Sequence, residues 1–305
     1  MKVLAIESSC DDTSFSVVSD DKSIDFIKTI NHRKFHKKHG GVIPEMAARQ
    51  HLDIMDYLQK SIKKFDFKKI DAIAATYGPG LIGGLIVGSS FAKGLSIARQ
   101  KKLIPVNHLQ AHLLSPRLTS NLSFPYLCLL VSGGNTALVI VKSPKKFVTL
   151  GSTIDDSAGE CFDKVSKALG LGYPGGPIIE KLALKGDHHK YKLPLPLTKV
   201  KNCNFSFSGL KTAAIDIINK NKNNKRFLEN FCASFQYTVG EIFQKKIRNS
   251  LDVMNNEGIK FKDFSICGGV AANQYLNKLI KGFIIERNIN FHQVPLSLCT
   301  DNAAM

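Results

Sequence analysis

The chain contains 305 residues with 44% hydrophobic content, so it can bury one large core or two moderate ones, and no apolar run reaches the roughly 18 residues that cross a bilayer. The first apolar run ends at Glu7, too early for a secretory signal, and the seven cysteines form no C-x-x-C pair; we therefore expect a cytoplasmic protein without a membrane partner, a disulfide framework or a thiolate zinc site. The net charge of +17 favours a polyanionic partner such as nucleic acid, although codon bias alone can produce an excess of lysine.

Two short apolar strands joined by a polar turn open the chain, at Lys2–Ile6 and Ser14–Val18. The same arrangement recurs at Tyr126–Val131 and Ala137–Val141, and the two turns carry a serine and a threonine at matching positions. A repeated strand–turn–strand unit predicts two similar lobes, each presenting a hairpin turn to a common cleft.

Strands alternate with helices after each hairpin, which favours partly parallel sheets flanked by helices. The predicted strands are Asp71–Thr76 and Phe264–Cys267, and the predicted helices are Gly83–Arg99, Phe227–Met254 and Ala271–Lys281. We therefore expect an α/β protein with duplicated βββαβα lobes, at residues 1–121 and 122–305.

The two hairpin turns, Ser9–Thr13 and Ser132–Thr136, are rich in small and hydroxylated residues. Such turns let backbone N–H groups approach an anion, so the pair is expected to clamp a phosphate chain; the alternative for either turn alone is an ordinary tight hairpin. Gly268-Gly269 follows a predicted strand and opens a helix, a position that admits a base or a ribose. This turn lacks the G-x-G-x-x-G pattern, and the chain contains no P-loop.

His108 and His112 stand four residues apart, so a helix places both imidazoles on one face. This spacing suits a divalent metal ion that takes a third ligand from elsewhere, although surface or interface histidines give the same pattern. Leu109 occupies the position of the general-base glutamate in H-E-x-x-H, which argues against a zinc protease.

Several other segments carry patterns with both a functional and a structural explanation. The acidic side chains of Ile154–Asp163 suit a site or a helix N-terminus. Gly172–Pro177 suits a pocket wall or a connecting turn, and Asn204–Thr212 suits an aromatic–basic contact surface or a strand edge with core phenylalanines. Basic residues cluster in Lys181–Arg226 and Arg33–His39, as expected for contacts with nucleic acid or for solvated faces.

Taken together, these motifs resemble the TsaD family, whose members form threonylcarbamoyladenosine in tRNA. The matching segments occur in family order along nearly the whole chain: Ile6–Thr13, Gly40–Arg49, Gly78–Gly84, His108–His112, Val131–Thr136, Ile154–Asp163, Tyr173–Pro177, Phe205–Thr212, Gly268–Asn273 and Cys299–Met305.

The resemblance implies the two-lobed fold of actin, the heat-shock chaperone ATPases and the sugar kinases (the ASKHA fold). It implies transfer of a threonylcarbamoyl group from threonylcarbamoyl-AMP to N6 of adenosine 37, in tRNAs that read codons beginning with A. It also implies one divalent metal ion bound to His108, His112 and Asp301, with Fe²⁺ as the first choice and Zn²⁺ as the alternative. The implied substrate contacts are Val131, Ser132, Gly133, Gly134, Asn135, Asp163, Gly176, Glu180 and Asn273.

Asp11 is our candidate for orienting the attacking amine or accepting its proton. Besides tRNA, the resemblance implies two protein partners, the inactive paralogue TsaB and the ATPase TsaE.

Rival hypotheses are a metalloprotease, a phosphorylating or ATP-hydrolysing enzyme of the same fold, and a non-catalytic assembly subunit, which would lack the metal ligands. The chain stops at Met305, where family members continue through a helix, so we expect an incomplete second lobe and a weakly anchored Asp301.

Overall fold

The computed structural model describes residues 1–32, 36, 41–62, 66–221 and 225–305. The chain divides into two compact units, residues 1–119 together with 300–305, and residues 120–299. Of the predicted basic cluster Arg33–His39, all but His36 lies outside the described residues. Within the described ranges, no helix combines the length and the apolar character needed to cross a membrane.

The first unit is built on a five-stranded sheet in the order β3-β2-β1-β4-β5, in which β1 pairs antiparallel with β2 and parallel with β4. Its strands are β1 (Lys2–Glu7), β2 (Asp12–Ser19), β3 (Ile24–Asn31), β4 (Ala72–Gly78) and β5 (Lys102–Asn107). Its helices are α1 (Pro44–Ile62), α2 (Ile82–Arg99), α3 (His108–Leu114) and α4 (Pro116–Thr119).

The second unit has the same topology, with the order β8-β7-β6-β9-β10, antiparallel pairs on one side of β6 and parallel pairs on the other. Its strands are β6 (Tyr126–Val131), β7 (Thr136–Ser143), β8 (Lys146–Ser152), β9 (Asp263–Cys267) and β10 (Asn290–Gln293). Its helices are α5 (Ala158–Ala168), α6 (Gly175–Ala183), α7 (Ser208–Lys220), α8 (Lys225–Asn256), α9 (Gln274–Ile285) and α10 (Leu296–Cys299). The predicted duplication is confirmed, and each unit adds a fifth strand to the predicted βββαβα order.

Burial explains why these segments form these elements. Every residue of β6 and of β9 is buried, as expected of strands covered on both faces. The sequence of β6 is a continuous run of apolar and aromatic residues, whereas β9 alternates Asp263 and Ser265 with apolar residues. In α1 the buried positions recur every three or four residues, which gives the helix one apolar face against the sheet. Leu4 and Phe15 of the sheet pack in one core with Met55 and Leu58 of α1.

Most of the predicted strand and helix boundaries differ from the structure by one or two residues, and two differences are larger. Helix α9 begins at Gln274 rather than Ala271, because Gly269–Ala272 forms a 3₁₀ turn and Asn273 caps the helix. Residues 300–305, placed with the second lobe by sequence, belong to the first unit: Ser16 Oγ donates to Ala303 O at 2.6 Å, and Ala303 N donates to Ser14 Oγ at 3.0 Å. These bonds to β2 anchor the segment that follows Asp301.

Helix α2 packs so closely on the turn after β1 that a methyl group at Gly84 would lie 2.3 Å from Ser8 O. We therefore predict that Gly84→Ala lowers the free energy of unfolding by about 1–3 kcal/mol, the usual cost of overpacking. Gly94, in the same helix, has open space around it, so Gly94→Ala is the matched control and raises stability by up to about 1 kcal/mol through helix propensity. Urea denaturation measures both, and equal stabilisation by the two variants would contradict the packing argument.

Candidate functional site

Helix α3 carries both histidines of the predicted pair and begins directly at the end of β5. Asn107 caps the helix by accepting a hydrogen bond from Gln110 N at 3.1 Å, which fixes the first turn. The imidazoles of His108 and His112 lie edge to face with their centroids 4.7 Å apart. His108 is 7% exposed and His112 is fully buried, so neither is a surface histidine.

Asp301 completes a three-residue cluster with the two histidines. Its Oδ1 lies 3.0 Å from His112 Nε2 and 3.8 Å from His108 Nε2. One ligand atom from each of His108, His112 and Asp301 lies within 4.8 Å of the others. Two imidazoles and a carboxylate that converge in this way fit a divalent transition metal and leave coordination positions open for a substrate oxygen.

Glu7 holds His108 from the side opposite to Asp301. Its Oε2 lies 3.3 Å from His108 Nδ1, which also contacts Ser9 Oγ at 3.1 Å. Glu7 is itself fixed, because Ser9 N donates to its Oε1 at 2.6 Å and Thr76 Oγ1 donates to its Oε2. A carboxylate at Nδ1 keeps the proton on that nitrogen, so the Nε2 lone pair is free to bind a metal ion.

The Glu7–His108 contact also decides the charge of both groups. Burial raises the pKa of Glu7, but the hydrogen bond and charge of His108 outweigh it and leave that pKa below its usual value. Burial lowers the pKa of His108, and the hydrogen bond and charge of Glu7 reverse this and raise it. Glu7 therefore remains an anion, which increases the basicity of the imidazole as a ligand.

The hydroxyl groups of the first hairpin turn are buried and bonded to histidines of the first unit, so they are not available to a phosphate. Ser9 Oγ contacts His108, and Thr13 is fully buried with its Oγ1 2.7 Å from His51 Nδ1. The expectation that this turn forms half of a phosphate clamp is therefore wrong for its side chains. Asp11 lies in the same turn, half-buried, with its carbonyl accepting from His32 N at 3.0 Å; its role in catalysis stays a prediction.

The second hairpin turn presents backbone rather than side chains. It is closed by bonds from Ser132 N to Asn135 O at 2.8 Å and from Asn135 N to Ser132 Oγ at 3.1 Å. Gly133 and Gly134 are exposed, with open space where a side chain would stand. A turn of this kind leaves its amide groups accessible to an anion.

Two glycines let other elements approach this second turn. A Cβ at Gly159, in the first turn of α5, would lie 2.5 Å from Ser132 O. A Cβ at Gly268 would lie 2.5 Å from Val131 O, and the φ of +92° at Gly268 is itself unfavourable for other residues. The N-terminus of α5 and the turn before α9 therefore both lie against the Val131–Asn135 turn.

The remaining predicted substrate residues lie in the same unit: Asp163 in α5, Gly176 and Glu180 in α6, and Asn273 directly before α9. Gly175 N donates to Asp163 Oδ1 at 2.6 Å, which fixes the start of α6 beside Gly176. Glu180 accepts from Gln274 N at 2.7 Å, so it caps the N-terminus of α9. Asn273 accepts from Leu276 N at 2.9 Å and donates to Gln236 Oε1 at 2.7 Å. Glu180 and Asn273 thus have clear structural roles, and their contact with substrate stays a prediction.

The acidic segment 154–163 serves mainly to hold its own unit together. Asp155 accepts from Ser206 Oγ at 2.6 Å, Phe207 N at 2.8 Å and Ser208 Oγ at 2.7 Å, and so fixes the Phe205–Thr212 motif. Asp156 pairs with Lys211 and Lys164.

Sequence reasoning missed Glu7, Ser9 and Thr76 as residues that support the histidine pair. The available signal was a lone carboxylate at the end of an apolar strand, Glu7 after Lys2–Ile6.

Comparison with known proteins gives consistent results. The family model of TsaD, tRNA N6-adenosine threonylcarbamoyltransferase, matches residues 26–305. The chain is 46% identical over 306 residues to the tRNA N6-adenosine threonylcarbamoyltransferase of Wolbachia sp. subsp. Brugia malayi (strain TRS), covering 99% of this chain and 90% of the relative. It is 48% identical over 311 residues to the enzyme of that name from Rickettsia peacockii (strain Rustic), covering 100% and 90%.

Among solved structures, component A of (R)-2-hydroxyglutaryl-CoA dehydratase from Acidaminococcus fermentans is similar in fold. The TM-score is 0.56 at 13% identity, and the match covers 98% of this chain and 93% of that one. At this identity the likeness concerns the fold alone. The predicted α/β fold of the ASKHA class is confirmed.

We predict that the wild-type chain binds about one equivalent of Fe²⁺ or Zn²⁺ and that His112→Ala abolishes this stoichiometric binding, because a three-ligand site loses a buried ligand. His189→Ala removes an exposed histidine of the second unit and serves as the control that retains the metal. Equilibrium dialysis with metal analysis measures both. Full metal content in His112→Ala would show that the ion binds elsewhere.

We predict that Glu7→Gln weakens metal binding by about 10- to 100-fold without removing it, as expected for loss of an outer carboxylate that orients a ligand. Glu45→Gln, at an exposed position of α1, is the matched control with unchanged affinity. Competition with a chromophoric chelator gives the affinities. An unchanged affinity in Glu7→Gln would mean that the Glu7 contact does not orient His108 for binding.

Proposed function

The chain belongs to the TsaD family, tRNA N6-adenosine threonylcarbamoyltransferase, and on this premise we propose that it takes the threonylcarbamoyl group from threonylcarbamoyl-AMP. The acceptor is N6 of adenosine 37 in tRNAs that read ANN codons. The new bond joins N6 to the carbamoyl carbon, the bond from that carbon to the phosphate oxygen breaks, and AMP leaves while the amine loses a proton. The observation that supports this most strongly is the convergence of His108, His112 and Asp301.

The donor is a mixed anhydride and is already activated, so the main task of the protein is positioning and electrostatic stabilisation. We assign binding of the donor to the second unit. The exposed backbone of Gly133 and Gly134 supports contact with the phosphate or the threonylcarbamoyl oxygens. We assign the adenylate to Asn273 and the glycines before it, Gly268 and Gly269, together with Gly176. Gly176 and Gly269 have open space where a side chain would stand, so a ligand can approach their backbone closely.

A metal ion bound to His108, His112 and Asp301 would supply Lewis-acid polarisation of a carbonyl oxygen. Fe²⁺ is our first choice because two histidines and one carboxylate with open positions form its common site, and Zn²⁺ accepts the same donors. Glu7 and Ser9 keep the His108 ring in place for this role. We assign to Asp11 the orientation of the attacking amine or the acceptance of its proton.

The partners follow from the same proposal. A net charge of +17 supports tRNA as the polyanionic substrate. We expect the chain to act in the cytoplasm together with the paralogue TsaB and the ATPase TsaE.

A metalloprotease is not supported, because Leu109 stands where that mechanism needs a glutamate.

The test combines the purified chain with TsaB, TsaE, threonylcarbamoyl-AMP and unmodified tRNA, followed by nucleoside analysis. We predict modified adenosine with the wild type, none with His112→Ala, and with Asp11→Asn a rate about 10²- to 10⁴-fold lower at unchanged metal content. Asp53→Asn, at an exposed position of α1, is the control with the wild-type rate.

Each arm of this test can fail separately. No product from the wild type would refute the transferase. A full rate with His112→Ala would refute the role of the metal, and a full rate with Asp11→Asn would refute the role of Asp11.

A further inference from the structure

Lys246, in the middle of α8, is fully buried. Its ammonium group donates to Leu197 O at 2.8 Å, to Asn202 O at 3.0 Å and to Asn202 Oδ1 at 3.0 Å. In the described parts of the chain no carboxylate pairs with it. A buried ammonium group is costly unless it is fully hydrogen-bonded, and here every recorded acceptor belongs to one surface segment, residues 197–202. We refer to this segment as the 197–202 loop.

The same helix holds the loop at a second point. Asn249 Nδ2 donates to Asn202 O at 2.7 Å and to Val200 O at 3.3 Å. The carbonyls of residues 197, 200 and 202 are therefore turned towards α8. Leu197 adopts a φ of +55°, a left-handed conformation that a leucine takes only when its surroundings enforce it.

This inward orientation of the carbonyls leaves the side chains of the loop tip in solvent. Lys199 and Lys201 are exposed, and Val200 between them is 48% exposed. Within the 197–202 loop there is no acidic residue to neutralise them. The loop tip thus presents two positive charges, and its backbone is held by hydrogen bonds from α8.

The chain that follows the loop is fixed as well. A Cβ at Gly151 would lie 2.2 Å from Cys203 O, so the chain runs directly over β8 at this point. Asn204 accepts from Ser152 N at 3.2 Å, and Phe205 N donates to Ser152 O at 3.0 Å. The loop is therefore held by α8 and continues into a segment bound to the sheet, which lowers the entropy cost of binding through its tip.

We propose that the 197–202 loop contacts the sugar–phosphate backbone of the tRNA through Lys199 and Lys201, and that Lys246 is the positioning residue that holds the loop for this contact. This inference rests on the proposed function, in which tRNA is the substrate. Exposed lysines on a rigid backbone suit phosphates, which carry charge but no sequence information. The bonds of Lys246 account for the rigidity.

The first test measures the Kd for an unmodified tRNA transcript at several salt concentrations. Lys199→Gln combined with Lys201→Gln is expected to raise Kd about tenfold and to reduce the salt slope by about 2, because two phosphate contacts are lost. The matched control is Lys260→Gln with Lys262→Gln, two exposed lysines at the same spacing in the same unit, which leaves both quantities unchanged. Metal content and melting temperature remain those of the wild type in both double variants.

The second test is a double-mutant cycle for Lys246. Lys246→Met is expected to weaken tRNA binding in the wild-type background and to have no further effect when Lys199 and Lys201 are already glutamine. A purely structural role for Lys246 would instead give the same loss in both backgrounds and would overturn its positioning role. If Lys246→Met does not fold, Asn249→Ala loosens the same loop at a second point and completes the cycle.

The outcomes separate this inference from the proposed function. A wild type that does not bind tRNA would overturn the tRNA substrate. A wild type that binds tRNA while the Lys199/Lys201 variant binds equally well would overturn only the role of the 197–202 loop.

Discussion

The contact between Glu7 and His108 is the interaction on which the first unit depends for its chemistry. Glu7 ends the central strand β1, and Thr76 from the neighbouring strand β4 bonds to the same carboxylate. The carboxyl ends of the parallel strands β1 and β4 therefore hold His108 in place without a metal ion. Asp301 reaches the other side of that histidine because Ala303 is bound to Ser14 and Ser16 of β2. Residues that are far apart in the sequence, Glu7, His108 and Asp301, are thus held together by a single sheet.

The duplicated topology serves two purposes in the two halves. After β1, the turn carries a glutamate at its start, and this glutamate and the serine of the turn orient His108. After β6, the corresponding turn carries glycines, and the close contacts of Gly159 and Gly268 bring neighbouring backbone against it. The same strand–turn–strand unit therefore supports a ligand cluster in one case and an exposed backbone surface in the other. Side-chain size at a few positions makes this difference, since the strand order is identical.

Much of the fold could be predicted because periodicity and turn residues report local structure. The spacing of His108 and His112 predicted that the two imidazoles lie together, and the structure confirms this. The third member of the cluster could not come from spacing, since Asp301 lies 189 residues from His112. Only the family resemblance pointed to it. Glu7 has no spacing signature at all. Lys246 is equally hidden, because the sequence shows two adjacent lysines in a helix and does not say which is buried.

The central claim is that His108, His112 and Asp301 bind one catalytic metal ion. Anomalous X-ray scattering from crystals of the metal-loaded protein, recorded at the iron and zinc edges, tests it most directly. We predict one strong peak at about 2.0–2.2 Å from the Nε2 atoms of both histidines and from an oxygen of Asp301. A peak on other residues, or a metal-loaded crystal in which these three side chains bind no ion, would contradict it.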